Sequence, residues 1–378
     1  MPVRATPRFL AWLAAAVLLG VAGLWFAREF ARDSLRDVRE FRAATRPRPA
    51  LPVGASLPSF GAVRAWLNGG PLPDDSLRAP LTAVVVWSDT DPRARTLLPM
   101  FEELHEAFAR SGLRVVGVHA PEHAFAADPA VPARFLRRLG IGFPVALDPG
   151  LTLQRALGGA AGLPRVVLSD ASGRVIRNAG EWNDAAVRLA IAERLGVRLD
   201  PWLHAPGAAA GLSPSAPEVR VIPLGAGRVT RGPLARAVPG EPQTFTAQFR
   251  YQEEGEPGVP FPVGRWTPAA DGLVAARGGA ADFVALRYDA VHAGPVRVGA
   301  VLSPPPEGPV RVWVLCEERW LPHAALGEDA RLDDHGASFV EVDEPRLYDV
   351  ARGGGVYKLS PAAPGLTVHA FTLEAGAR

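Results

Sequence analysis

Few side chains in this sequence have the chemistry and the spacing to act together. Cys316 is the only cysteine. That excludes an internal disulfide, a Cys-x-x-Cys dithiol and a zinc site built from cysteines. It ends the run Val310-Arg-Val-Trp-Val-Leu-Cys316, on the alternating face of Val310, Val312 and Val314. The expectation is a small core residue rather than a reactive thiol. His119-Ala-Pro-Glu-His123 fits the pattern H-x-x-E-H, but zinc protease chemistry needs a helix to bring both histidines to one face. Here the motif starts at a strand end and Pro121 opposes a helix, so it is set aside and no metal site is assigned. The sequence has no Gly-rich phosphate loop and no G-x-S-x-G elbow, and no cofactor is implied.

The elements around these residues alternate between strand and helix over residues 55–197. Leu81–Trp87 is an apolar run suited to a strand buried on both faces. Pro92–Ser111 carries Leu97, Phe101, Leu104 and Phe108 on one helical stripe. Leu113–His119 is a second buried strand, Val131–Leu139 a helix, and Pro144–Asp148 a short strand. Arg165–Ser169 and Arg174–Arg177 flank Asp170-Ala-Ser-Gly173, a hairpin signal. Ala185–Leu195 closes the unit as a helix.

These segments resemble the thioredoxin-like domain of DipZ-type and TlpA-like exported oxidoreductases. The resemblance rests on Trp66-Leu-Asn68, Leu77-Arg78, Trp87 to Pro99, Val116 to Phe125 and Leu139 to Asp148, in order and at matching spacing. It places the family's two cysteines on Asp91 and Ala94, its cis-proline on Pro164 in Gly162-Leu-Pro164, and an acid beside the thiols on Glu122. Dithiol exchange needs one thiolate to attack and a second thiol to resolve. Neither is here, so no catalytic residue is assigned. Asp91 is expected to cap the helix with Pro92 in its first turn. Glu122 is expected as a solvated loop carboxylate. Trp87 and Leu163 are candidates for an apolar groove that could still take an extended peptide of a protein partner.

Composition sets the frame. The 378 residues allow two or three domains. Of 41 basic residues Lys358 is the only lysine, and the net charge is +2. The arginines are scattered among acids, so nucleic acid is not an expected partner. Residues 9–27 are uncharged and helical length would span about 28 Å, enough to cross a bilayer. Residues 1–28 therefore read as a membrane anchor or signal-anchor and 29–54 as a stalk. The globular part is expected outside the cytoplasm, in the periplasm or cell envelope, although Arg28, Arg32, Arg36 and Arg39 weaken the orientation signal.

Residues 198–240 are rich in Pro, Gly and Ala and read as a linker, with a strand at Val219–Ile222. Residues 241–378 show short strands between Gly/Pro turns, the pattern of a β-sandwich. Asp334-His-Gly336, Glu344 to Tyr348 and Pro364 to Thr372 resemble the C-terminal jelly-roll of DipZ-type proteins, of the galactose- or carbohydrate-binding type. The fold class is thus a thioredoxin-like α/β domain followed by an all-β sandwich. Trp313, Trp320, His323, Asp334, His335 and Tyr348 are the residues by which a glycan could bind, Trp320 and Tyr348 foremost. Against this, the aromatics can equally serve the core, and Asp334 and His335 read as turn residues. Three functions follow: a non-catalytic binding or scaffolding protein; an oxidoreductase using Cys316 or a partner's cysteine; or a purely structural envelope protein.

Overall fold

The computed structural model describes residues 51–158, 163–179, 184–198, 218–229, 231–246, 256–288 and 296–375, all within the compact unit Pro49–Arg378. The anchor and most of the stalk lie outside the described residues. Among those described, no helix is long and apolar enough to cross a membrane. The last stalk residues already belong to the fold, because the Gly54 N–H donates to the Val175 carbonyl at 2.7 Å.

The first domain has strands β1 (Trp66–Leu67), β2 (Leu81–Trp87), β3 (Leu113–His119), β4 (Val145–Leu147), β5 (Arg165–Asp170) and β6 (Val175–Ala179). Its helices are α1 (Ala94–Phe108), α2 (Ala130–Leu139), α3 (Thr152–Ala156) and α4 (Asp184–Leu195). The sheet order is β1-β4-β3-β2-β5-β6. β2, β3 and β4 are parallel, whereas β5, β6 and β1 run antiparallel to their neighbours. Every residue of β2 is buried, because both faces of the sheet are covered. Leu81, Ala83, Val85 and Trp87 pack with Leu97, Phe101 and Leu104 of α1. Val84 and Val86 point the other way, into a core with Phe60 and Leu163. Burial of each such aliphatic side chain stabilises by about 1.5–3 kcal/mol. The hairpin turn forms where its residues direct it. Asp170 Oδ1 accepts the Ser172 N–H at 2.9 Å, and Gly173 takes φ +75°, which glycine tolerates.

The second domain is all β. Its strands are β7 (Glu218–Pro223), β8 (Gln243–Phe245), β9 (Phe261–Ala269), β10 (Gly272–Ala275), β11 (Phe283–Tyr288), β12 (Val296–Ser303) and β13 (Val310–Cys316). They continue with β14 (Arg319–Trp320), β15 (Ala330–Leu332), β16 (Ser338–Val342), β17 (Arg346–Arg352), β18 (Gly355–Pro361) and β19 (Thr367–Ala375). The hydrogen-bonded path is β15-β16-β13-β18-β11-β9-β10-β19-β12-β17. The layers are thus joined: Phe261–Val263 of β9 pairs with β11, and Trp266–Ala269 pairs with β10. Between them Gly264 has φ +91°, and any side chain there would run into Asp282, so the bend requires glycine.

The domain starts earlier than its composition suggests. β7 pairs with six residues of β19, from Ala370 to Ala375, and Leu224 and Leu234 enter the shared core. The described residues 218–229 and 231–240 are therefore part of the β domain, not linker. The Pro/Gly content there marks turns within a packed layer.

Candidate functional site

At the end of β2 the chain turns through Ser88–Pro92 into α1. The helix begins at Ala94 rather than Pro92, because the Ala94 N–H closes a tighter turn onto the Asp91 carbonyl at 3.0 Å. Asp91 therefore closes the turn ahead of the helix instead of capping the helix itself: its Oδ1 accepts the Arg93 N–H at 2.9 Å, and Arg93, at the N-cap, makes no side-chain cap. The sequence reading had no signal for the second half of the arrangement. The Arg93 guanidinium grips the same carboxylate, Nε on Oδ1 at 2.9 Å and Nη2 on Oδ2 at 2.6 Å. Its Nη2 also donates to the Leu163 carbonyl. The Leu163–Pro164 peptide bond is cis, and Gly162 lies outside the described residues. Arg93 thus ties the turn before α1 to the loop carrying the cis-proline.

No family model matches the chain. Over 94 residues it is 33% identical to Protein DipZ of Mycobacterium bovis, and equally to Protein DipZ of Mycobacterium tuberculosis. The aligned part is 24% of this chain and 14% of each relative. The α/β domain built on β1–β6 is thioredoxin-like. Among solved structures, a thiol-disulfide isomerase from Corynebacterium glutamicum aligns at 25% identity and a TM-score of 0.33, covering 38% of this chain and 98% of that one. A thioredoxin-like superfamily protein aligns at 24% identity and a TM-score of 0.35, over 38% and 99%.

The face around Asp91 is closed. Asp91 is 1% exposed and Ala94 is fully buried. What covers the thioredoxin-like domain here is the β domain of the same chain. Arg95 Nη2 donates to the Leu347 carbonyl of β17 at 2.9 Å. Phe125 packs against Val301, Leu347 and Ala370. Arg134 pairs with Glu344 at 2.8 Å, and Arg138 pairs with the same carboxylate. A cleft of about 230 Å³ remains along the seam, with Asp89, Arg95 and Phe135 on one side and Glu344, Arg346 and Leu347 on the other. Among the described residues, Trp87 and Leu163 do not line the open apolar groove expected of them. Trp87 is fully buried, stacked on Phe135 at 5.5 Å, and Leu163 is buried in the core of the opposite sheet face.

The seam gathers more titratable groups than the sequence suggested. His119 Nε2 and Asp89 Oδ1 lie 2.7 Å apart, both buried. Glu122 is not the solvated carboxylate expected, since it accepts from Thr90 Oγ1 at 3.3 Å. Desolvation, with the Asp91 charge behind it, pushes its pKa up. On the β domain, burial likewise raises Asp349 and Glu374. His123 leaves its sequence neighbour His119 and crosses the seam: its Nδ1 meets Asp271 Oδ1 at 2.9 Å. His369 stands beside them, with its ring 5.1 Å from that of His123. Neither Asp271 nor His369 carries a local motif, and only the docking of the two domains brings them to His123.

The candidate glycan residues separate. Tyr348 is fully buried, its hydroxyl donating to the Glu344 carbonyl at 2.7 Å under the Arg346 guanidinium. It is a core pin, not a ligand platform. Trp320 is 44% exposed and lies 5.9 Å from the Trp313 ring. Arg311 stacks over Phe339 at 4.0 Å and over Trp313 at 5.3 Å. His323, Asp334 and His335 are exposed. Asp333 forms the turn beneath the last two, accepting the His335 and Ala337 N–H groups. Cys316 is half-buried at the edge of the core rather than inside it, and burial, then Glu317, pushes its thiol pKa up.

Proposed function

We propose that this chain is a membrane-anchored, extracytoplasmic binding protein in which a thioredoxin-like domain without a dithiol supports the β domain. The observation that carries this reading is the packing of β17 and its neighbours on Arg95, Phe125 and Arg134, beside the buried Asp91. A dithiol enzyme needs that face open to a polypeptide. In this chain the positions assigned to the thiols hold a buried, ion-paired carboxylate and an alanine packed into the first domain's own core. The working surface is then the exposed aromatic patch of Trp320, Trp313 and Arg311. It suits the apolar face of a sugar ring first and a protein partner second.

Support for the anchor comes from residues 9–27 alone, and support for export from the similarity to DipZ. The oxidoreductase reading rests on that same similarity. Cys316 opposes it, because a half-buried thiol with a raised pKa supplies little thiolate.

The test uses the full chain in its native membrane. A photo-crosslinking probe is placed at Trp320 and, separately, at Ala94. Capture of a glycan or a discrete protein from Trp320 alone, lost when Trp313 is also removed, is the expected result. Capture from Ala94 alone would overturn the proposal. A cytoplasm-only reporter active at the C-terminus would overturn the orientation.

A further inference from the structure

We infer that His123, Asp271 and His369 form a binding site for a borderline divalent metal ion of the zinc class that bridges the two domains. The site is independent of the function proposed above. His123 comes from the loop after β3, Asp271 from the β9–β10 turn and His369 from β19. One donor atom from each lies within 4.8 Å of the other two. His123 Nδ1 is 2.9 Å from Asp271 Oδ1, and His369 Nδ1 is 3.7 Å from Asp271 Oδ2. Donors on a tetrahedral zinc sit about 3.4 Å apart, given bonds near 2.1 Å. The two separations bracket that value and run to different oxygens of the carboxylate, so loading the site requires the Asp271 carboxylate to turn toward both rings and His369 Nδ1 to leave the Asp271 main-chain carbonyl.

The chemistry of the set is selective. Two imidazoles and one carboxylate suit zinc and its transition-metal neighbours rather than calcium or magnesium, which take mostly oxygen donors. Three protein donors leave the fourth position to water. The rings are held for the task. His123 stacks parallel on Phe125 at 5.6 Å. His369 Nε2 meets Ser303 Oγ at 2.7 Å, the outer hydrogen bond that fixes a ligating histidine. In the metal-free state His369 Nδ1–H donates to the Asp271 carbonyl at 2.6 Å, and Ser303 donates to Nε2. Metal on Nδ1 requires the proton to move to Nε2, and the Ser303 hydroxyl then accepts it as readily as it donated. No proton need leave the imidazole. Arg228 is the competing cation, 3.7 Å from Asp271 Oδ1. It is partly exposed and also donates to the Glu122 carbonyl at 3.2 Å, so it has somewhere to go.

The test is metal binding by the full chain in detergent, stripped with a chelator and titrated with Zn2+, then with Co2+ for its visible absorption. The expected result is one zinc per chain, a rise in Tm on addition, and a four-coordinate cobalt spectrum. His369→Gln and His123→Gln should each abolish the cobalt band. Ser303→Ala should weaken zinc about 10–100-fold. Arg228→Gln should tighten it about two- to fivefold by removing the rival charge. A purely structural role for the cluster would leave no zinc affinity for Arg228→Gln to change. The chelator-treated variants should keep the Tm of chelator-treated wild type within a few degrees, which separates lost metal from lost fold. Equal zinc uptake by wild type and the double variant His123→Gln/His369→Gln would overturn the site, as would no uptake by the wild type.

Discussion

Arg95, in the first turn of α1, donates to the main-chain carbonyl of Leu347 in the other domain at 2.9 Å. This contact lies one residue beyond Ala94, so the seam begins where a thioredoxin-like domain would receive its substrate.

Closure of this face should show as protection. With Cys316→Ser as background, Arg95→Cys, at the seam against Leu347, should react with a maleimide at least ten times more slowly than an exposed Trp320→Cys. Leu347→Asp places a charge against Phe125 and Val301 and should release the block. Equal labelling of both positions in the parent would mean that the seam is open in solution.

Disulfide reduction should be absent. Insulin turbidity with the full chain should match the uncatalysed rate, with or without Cys316→Ser. Activity that survives Cys316→Ser would contradict the reading at its base.

The carboxylate of Asp91 has two jobs, so its variants should separate them. Asp91→Ala removes both the turn hydrogen bond and the ion pair and should cost about 1–3 kcal/mol. Asp91→Asn keeps an oxygen for the turn but loses the grip on Arg93, so it should recover only part of that loss. Arg93→Ala leaves a carboxylate that is 1% exposed without its cation, and should cost at least as much as Asp91→Ala. Chemical denaturation of the three variants gives the order, and full recovery in Asp91→Asn would remove the ion pair from the account.

How far the sequence reached is clearest at this turn. It was legible, although as a helix cap, because Asp-Pro before an apolar stripe is a local signal. The strands of the α/β domain were legible for the same reason, as Leu81–Trp87 and Leu113–His119 need burial on both faces. The guanidinium of Arg93 was not, because its second partner, the Leu163 carbonyl, is 70 residues away. The burial of Leu163 and Tyr348, and the absence of a groove at Trp87 among the described residues, escaped the local pattern because each residue packs in its own domain's core against partners distant in sequence. The strand at Val219–Ile222 was legible, but its place in the β domain was obscured by the Pro/Gly turns around it, since its pairing partner β19 lies some 150 residues on.

Asp349 gives a pH signature. It is 5% exposed, its nearest cation is Arg297 at 3.9 Å, and burial raises its pKa above 3.8. A raised carboxyl stabilises the fold fully below the unfolded pKa, and that contribution is lost as pH rises through the folded value. The wild type should therefore lose stability relative to Asp349→Asn as pH rises from about 4 toward neutrality. Denaturant midpoints across that range test it, and a difference that stays flat would assign Asp349 an ordinary pKa.

The domain that closes the face around Asp91 is joined to it by the same polypeptide, and this changes what any competitor must do. A tethered partner acts at a local concentration on the order of millimolar, without dilution as the protein becomes scarce. A free peptide that recognised the thioredoxin-like face at micromolar strength would have to displace a neighbour present about a thousandfold above that value. Such a peptide would need near-millimolar abundance to occupy half the molecules if the tethered contact were of similar strength. The surface beside Asp91 is thus occupied, at every protein concentration, by a resident that cannot diffuse away.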